Sequence, residues 1–306
     1  MNKVICIVGP TASGKTSLSV ELAKKINGEI ISADSMQIYK ELSIGTAKVT
    51  KEEMQNIPHH LVDFVDINEE FSVADFKKLA IEKIDDILSR NKVPILVGGT
   101  GLYISSIVNN MTFEDEQIDI KYREELYNLA KEKGNEYVHD ILKKIDLKAA
   151  NDIHPNNLKR VIRALEIAKS GIIKTERLIE DKKRINNKYI FDIYCLNFSK
   201  EILNERINKR VDIMISNGLE KEARIVNKLK TGTLRQAIGY KEFNEYFSGT
   251  KSLEEVVEEI KLRTRQYSKR QLTWFKKIEN IKYLDALKTK EQLINSIKRG
   301  LYEEEK

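Results

Sequence analysis

Cysteine is almost missing from this 306-residue chain: only Cys6 and Cys195 are present, each inside an apolar run. Two thiols so placed exclude a disulfide framework and a four-thiolate metal site, and they fit a reducing, cytoplasmic setting. Proline is scarce at four residues and glycine moderate at fourteen, which excludes collagen-like repeats and low-complexity disorder. Apolar runs stop after a handful of residues, as at Val4 to Val8, so no segment is expected to span a membrane. Met1 leads almost directly into that run, and no signal peptide is expected. Charge is abundant instead: 33% of residues are charged against 41% hydrophobic, the balance of a globular chain. At roughly 150 residues per domain, the length predicts two domains or one domain with a large insertion.

The net charge is only +6, from 53 basic and 47 acidic residues, and its distribution says more than its sum. Lys261 to Lys277 contains Lys261, Arg263, Arg265, Lys269, Arg270, Lys276 and Lys277 with no acidic residue, Asn157 to Arg163 adds Lys159, Arg160 and Arg163, and Glu303 to Lys306 is acidic. A one-signed block is either a solvated helix face or a surface for a polyphosphate partner. Tyr267 and Trp274 within the basic stretch suit base stacking, but aromatic residues at helical spacing more often face a core.

Val4 to Val8 has the continuous apolar pattern of a strand buried on both faces. A glycine-rich turn follows, then a helix marked by Leu18, Leu22 and Ile26. Ile30-Ile31 reads as a second strand ending at Ala33-Asp34-Ser35, and Leu61 to Val65 as a third. Ser72 and Asp75 form a capping-box pattern before a helix whose face is Val73, Phe76, Ala80, Ile84 and Ile87. Val93 to Val97 is a strand running into Gly98-Gly99-Thr100-Gly101. Strands alternating with helices predict a parallel α/β sheet. Residues 115–188 are helical in pattern, Tyr189 to Phe198 returns as a strand, and the chain beyond Ser199 is helix-rich, including Leu253 to about Ile278. The expected organisation is an α/β core of residues 1–114 and 189–306, interrupted by a helical insertion at 115–188.

Gly9-Pro10-Thr11-Ala12-Ser13-Gly14-Lys15-Thr16 matches the phosphate-loop pattern G-x-x-x-x-G-K-[ST] between a buried strand and an amphipathic helix, which makes the core P-loop NTPase-like. Loop amides and the positive helix end cradle phosphate oxygens, Lys15 reaches the terminal phosphate, and Thr16 ligates Mg²⁺. Asp34, at the carboxyl end of a strand, has three readings: an indirect metal ligand of an NTPase, a base facing a second substrate, or a helix cap. The second glycine-rich turn would line the same crevice and offer Thr100 to a substrate.

These segments resemble the tRNA dimethylallyltransferases of bacterial type. The resemblance rests on GPTASGKT at 9–16, SADSMQIYK at 32–40, GTAK at 45–48, PHHLVD at 58–63 and VGGTGLY at 97–103. It continues through RVIRALEI at 160–167, RVDIMISNGL at 210–219, QAIGYKE at 236–242 and TRQYSKRQLTWF at 264–275. Plant adenylate isopentenyltransferases share the phosphate loop, but the basic segment and helical insertion favour tRNA. The resemblance implies transfer of a dimethylallyl group from dimethylallyl diphosphate to the exocyclic amine of the adenosine 3′ of the anticodon. The substrates would be tRNAs reading codons that start with U, and the enzyme a cytoplasmic monomer using Mg²⁺.

In that reading Gly9 to Thr16 hold the diphosphate, and Asp34 takes the proton from the amine. Thr100 and Arg210 complete the catalytic set, with Arg206 a weaker candidate one turn earlier. Asp34, Ser35, Met36, Gln37 and Thr100 touch the extruded base, and Arg123, Lys159, Arg160 and Arg163 grip the surrounding anticodon stem-loop. The family often carries Gln where Lys159 stands, which favours a phosphate contact there over a base contact. A kinase or NTPase regulated by RNA is the alternative from another class, and a non-catalytic RNA-binding protein a further one. His59, His60, His139 and His154 lack a third metal ligand in sequence and are expected to serve packing and hydrogen bonding.

Overall fold

A computed structural model describes residues 2–113, 119–169, 188–229 and 232–302. The acidic 303–306 segment and residues 170–187 of the expected insertion lie outside these. The chain forms two compact units, one of Met1–Val108 with Asn187–Lys306 and one of Asn109–Asn186.

In the first unit, β1 (Lys3–Val8), β2 (Gly28–Ser32), β3 (His59–His60), β4 (Val93–Gly98), β5 (Ile190–Asn197) and β6 (Lys282–Asp285) form one sheet in the order β3-β2-β4-β1-β5-β6. Every pairing is parallel, with Ile7 of β1 opposite both Val97 of β4 and Tyr194 of β5. All six residues of β1 are buried, which is why Val4 to Val8 is an unbroken apolar run rather than an alternation, while the buried Lys3 at its start donates Nζ to the Leu301 carbonyl at 2.7 Å. Val4, Cys6 and Val8 face α3 (Val73–Ser89) and α4 (Gly101–Val108) through Phe76, Ala80, Ile84 and Ile104. Ile5 and Ile7 face α1 (Lys15–Ile26) through Leu18 and Leu22. Each such side chain fully buried contributes roughly 1.5–3 kcal/mol. The Ser72 box is formed: its hydroxyl accepts from the Asp75 amide at 3.2 Å, and its amide donates to Asp75 Oδ2 at 2.9 Å.

Two elements depart from expectation. Leu61 to Val65 is not a strand: Leu61 (φ 59°) and Asp63 (φ 58°) take left-handed backbone, and only Val65 makes a bridge, to Tyr39. The strand is the preceding His59–His60. β6 went unseen because three of its four residues are exposed, leaving no apolar signature. The short α2 (Lys51–Met54) lies between β2 and β3, while the second unit holds α5 (Ile120–Lys133), α6 (Asn135–Ile145), α7 (Leu147–Asp152) and α8 (Leu158–Lys169). That unit has its own core, including Leu126, Val138, Leu142, Val161 and Leu165.

In the first unit, α9 (Lys200–Ser216), α10 (Leu219–Asn227), α11 (Phe243–Phe247) and α12 (Leu253–Phe275) precede the final helix α13 (Lys290–Tyr302). Val211, Ala223, Phe243, Val256 and Ile260 from these helices form a third cluster with Ile38 and Leu42. It supports the segment that follows β2.

Candidate active site

The chain leaves the carboxyl end of β1 into the phosphate loop. Gly14 closes that loop at φ 85°, a left-handed conformation that glycine adopts without strain, and α1 begins at the next residue. No side chain caps this helix, so its first-turn amides and positive dipole end remain available to an anion. Lys15 curls over its own loop, donating to the carbonyls of Gly9 (3.0 Å) and Pro10 (2.7 Å). Enclosure there lowers its pKa to about 8, with the Asp34 carboxylate opposing the shift and the Arg210 cation adding to it.

Asp34 follows the end of β2, two strands from β1. Its Oδ1 accepts from the amides of Met36 (2.9 Å) and Gln37 (3.4 Å), which fixes the carboxylate. The second glycine turn meets it directly. Ser35 donates its amide to Thr100 Oγ1 (3.0 Å), and the Thr100 amide donates to the Ala33 carbonyl (3.3 Å). Such close approach requires Gly98: a Cβ there would lie 2.1 Å from the Ala33 carbonyl oxygen. Gln37 is held in turn by the carbonyls of Ala47 (3.0 Å) and Thr46 (3.4 Å).

Lys15, Thr16, Asp34, Gln37, Ser32 and Gly98 line one open cleft, which continues along the less polar wall of Ile30, Val49, Val62 and Val97, with His59. The Thr16 hydroxyl and Asp34 carboxylate are hard oxygen donors. That set fits Mg²⁺, which binds through few protein oxygens and keeps waters and phosphate oxygens as its other ligands. Among the described residues no three His, Cys, Asp or Glu side chains group into an all-protein metal cage.

Positive charge reaches the site from α9. Burial lowers the pKa of Arg210, opposed by Asp34 and Glu53. Arg206 donates Nε to the Ala12 carbonyl at 2.8 Å and lies over the Phe198 ring.

Sequence reasoning missed Gln271 of α12 and Glu222 of α10, whereas Tyr267 and Trp274 of α12 were noted for stacking or for packing against a core. Gln271 accepts from the Thr11 amide (2.9 Å) and donates to the Gly99 carbonyl (2.9 Å). Tyr267 lies beside Asp34 and Thr100, and burial, with the Asp34 charge, pushes its hydroxyl up to about 12. Trp274 packs on Gly101 and donates Nε1 to Ser105 Oγ at 2.9 Å, so its ring serves the protein interior. Spacing of i, i+4 and i+7 on one helix was the only available signal. Several cations of the same helix are engaged: Lys261 with Asp212 and Glu258, Arg263 with Glu259, and Arg265 with Asn208.

Glu222 of α10 is buried and accepts from the amides of Ser43 (2.8 Å), Ile44 (2.9 Å) and Gly45 (2.7 Å) and from the Tyr240 hydroxyl (2.6 Å). It thereby anchors the loop whose carbonyls hold Gln37.

In the second unit, Arg123 forms a two-point pair with Glu166 (2.6 and 3.0 Å), and Arg163 reaches the same carboxylate at 3.4 Å. Lys159 and Arg160 are exposed at the start of α8. The histidines make local bonds: His59 to the Ile57 carbonyl, His60 to Glu29, His139 to the carbonyls of Ala150 and Ile153, and His154 to the Asn156 amide. Cys6 and Cys195 are free and buried.

The family model described as IPP transferase matches residues 37–278. A protein of Acetivibrio thermocellus named tRNA dimethylallyltransferase is 48% identical over 303 residues, covering 97% of each chain. Its namesake in Caldanaerobacter subterraneus subsp. tengcongensis is 50% identical over 304 residues, covering 96% of each. The crystal structure of a tRNA isopentenylpyrophosphate transferase from Bacillus halodurans aligns with a TM-score of 0.73 at 43% identity, covering 98% of this chain and 96% of that one. A eukaryotic dimethylallyltransferase described as acting on tRNA aligns with a TM-score of 0.81 at 34% identity, covering 98% of this chain and 77% of its own.

Proposed function

The chain belongs to the IPP transferase family, whose matched relatives are named tRNA dimethylallyltransferase, and from that premise we propose how it works. It transfers the dimethylallyl group of dimethylallyl diphosphate to the exocyclic amine of an adenosine in tRNA. The finer assignment is the adenosine 3′ of the anticodon in tRNAs reading codons that begin with U. Support comes above all from Lys15, Thr16 and Asp34 lining one cleft, so that an anion site and a carboxylate base serve the same reacting centre.

The amine nitrogen attacks the first carbon of the dimethylallyl group as that carbon's bond to oxygen breaks. Pyrophosphate leaves with the bonding electrons, and the amine proton passes to Asp34. Loop amides, Lys15 and Arg210 bind the diphosphate and stabilise negative charge as it grows on the departing oxygens. Thr16 would hold Mg²⁺, which would supply further neutralisation of the charge on the departing pyrophosphate. Thr100 and Gln37, each fixed by backbone partners, orient the adenine beside Asp34, with Ser35 and Met36 completing the contact. General-base assistance of this kind is typically worth about 10² to 10⁴ in rate.

The base must leave the anticodon-loop stack to reach such a cleft, at a cost of a few kcal/mol. Lys159 and Arg160, exposed at the start of α8, would hold the surrounding phosphates together with Arg123 and Arg163 beside Glu166. A competition assay tests the substrate: unmodified tRNA, the same tRNA with guanosine replacing the target adenosine, and free AMP are each offered with dimethylallyl diphosphate. Prenylation of the first alone is expected. Prenylated AMP would identify an adenylate isopentenyltransferase instead.

A further inference from the structure

Gln271 belongs to neither substrate loop in sequence, yet it joins them. Its side-chain oxygen takes the Thr11 amide of the phosphate loop, and its nitrogen gives to the Gly99 carbonyl of the second loop, both at 2.9 Å. An N–H can only donate and a carbonyl can only accept, so these two partners fix the amide's orientation. The residue is buried, at 6% exposure, and the bridge is tight: a Cβ on Gly99 would lie 2.4 Å from the Gln271 nitrogen.

The same helix reads the second loop at successive turns. Tyr267 lies beside Thr100, and Trp274 packs on Gly101 and bonds Ser105. The Gly99 carbonyl belongs to the peptide unit that contains the Thr100 amide, and that amide, with the Thr100 hydroxyl, sets Ala33 and Ser35 next to Asp34. A shift of the Thr11 peptide therefore has a hydrogen-bonded route to Thr100.

We propose that Gln271 is a positioning residue that couples the two substrate loops, so that diphosphate in residues 9–16 tightens the hold of the Thr100 loop on the target adenosine. The proposal rests on the assignment of diphosphate and adenosine to these loops. Coupling between sites is reciprocal and commonly amounts to about 5- to 150-fold in affinity.

The test measures tRNA affinity of the full chain with and without saturating pyrophosphate and Mg²⁺, a ligand pair that permits no turnover. The wild type is expected to bind unmodified tRNA about fivefold or more tightly with pyrophosphate present. Gln271→Met removes both bonds, and Gln271→Glu retains an acceptor for Thr11 while setting a carboxylate oxygen against the Gly99 carbonyl. Both are expected to bring the ratio close to one, with pyrophosphate affinity in the absence of tRNA little changed and the KM for tRNA raised by about the factor that the ratio loses. Thermal unfolding of each variant identifies any loss through misfolding. A wild-type ratio of one, or a folded variant that keeps the wild-type ratio, overturns the coupling. Prenyl transfer by the wild type reports separately on the function: transfer without linkage refutes the role of Gln271, whereas no transfer refutes the functional assignment beneath it.

Discussion

Lys15 and Asp34 face each other across one cleft with opposite charge, and the chemistry depends on both keeping it. Replacing Asp34 with Asn preserves shape and removes the base. Single-turnover transfer should fall by about 10² to 10⁴, with tRNA affinity nearly unchanged; equal losses in both would make Asp34 an RNA-positioning group. Lys15 has a lowered pKa, about 8 against an ordinary 10.5, so the fold disfavours its charged form. Between those values the unfolded chain holds a proton that the folded chain has released, and stability contributed by this group rises with pH through that window. Diphosphate affinity moves the opposite way, because the anion needs the ammonium. Pyrophosphate titrations should weaken as pH rises through about 8, and Lys15→Met should bind weakly with that pH step removed. At this scale the phosphate loop was legible because its spacing is a backbone requirement, and Asp34 because it ends a strand. Gln271 and Glu222 were not legible. Their partners are backbone groups far away in sequence, and such contacts leave no pattern of residue types.

Among the elements, β1, β2 and β4 could be read from their apolar runs because helices cover both faces of the sheet. β6 could not, since an exposed edge strand needs no such run, and Leu61 to Val65 misled because left-handed turns at Leu61 and Asp63 interrupt an apolar segment. The register between β2 and β4 brings Asp34 to Thr100, and it depends on the bare backbone of Gly98. Gly98→Ala sets a methyl 2.1 Å from the Ala33 carbonyl oxygen. Overpacking of this kind costs about 1–3 kcal/mol, and a thermal melt should show it together with loss of transfer. Glu222→Ala leaves the amides of Ser43, Ile44 and Gly45 and the Tyr240 hydroxyl without their acceptor. Each buried donor stranded costs roughly 1–3 kcal/mol, so a large drop in denaturation midpoint is expected. An unchanged midpoint would mean that water replaces the carboxylate.

Across the molecule, two compact units carry separate cores, so damage to one can be read apart from the other. Leu142 is fully buried in the second unit, and Leu142→Ala should cost about 2–5 kcal/mol of that unit's stability. Weaker tRNA binding with unaltered pyrophosphate affinity is expected; a matching loss of pyrophosphate affinity would show that the units do not divide the substrates. The +6 charge is too small to identify a nucleic-acid partner, and part of the basic stretch at 261–277 is paired within the protein. Affinity for tRNA should still fall steeply with salt if Lys159 and Arg160 meet phosphates.

The central claim is that a phosphate loop here serves carbon–oxygen cleavage rather than phosphoryl transfer. It is tested most directly by mass spectrometry of nucleosides from unmodified tRNA incubated with the protein, Mg²⁺ and dimethylallyl diphosphate. The account predicts one adenosine heavier by a C₅H₈ unit, with release of pyrophosphate. ATP turnover with no prenylated nucleoside would contradict it.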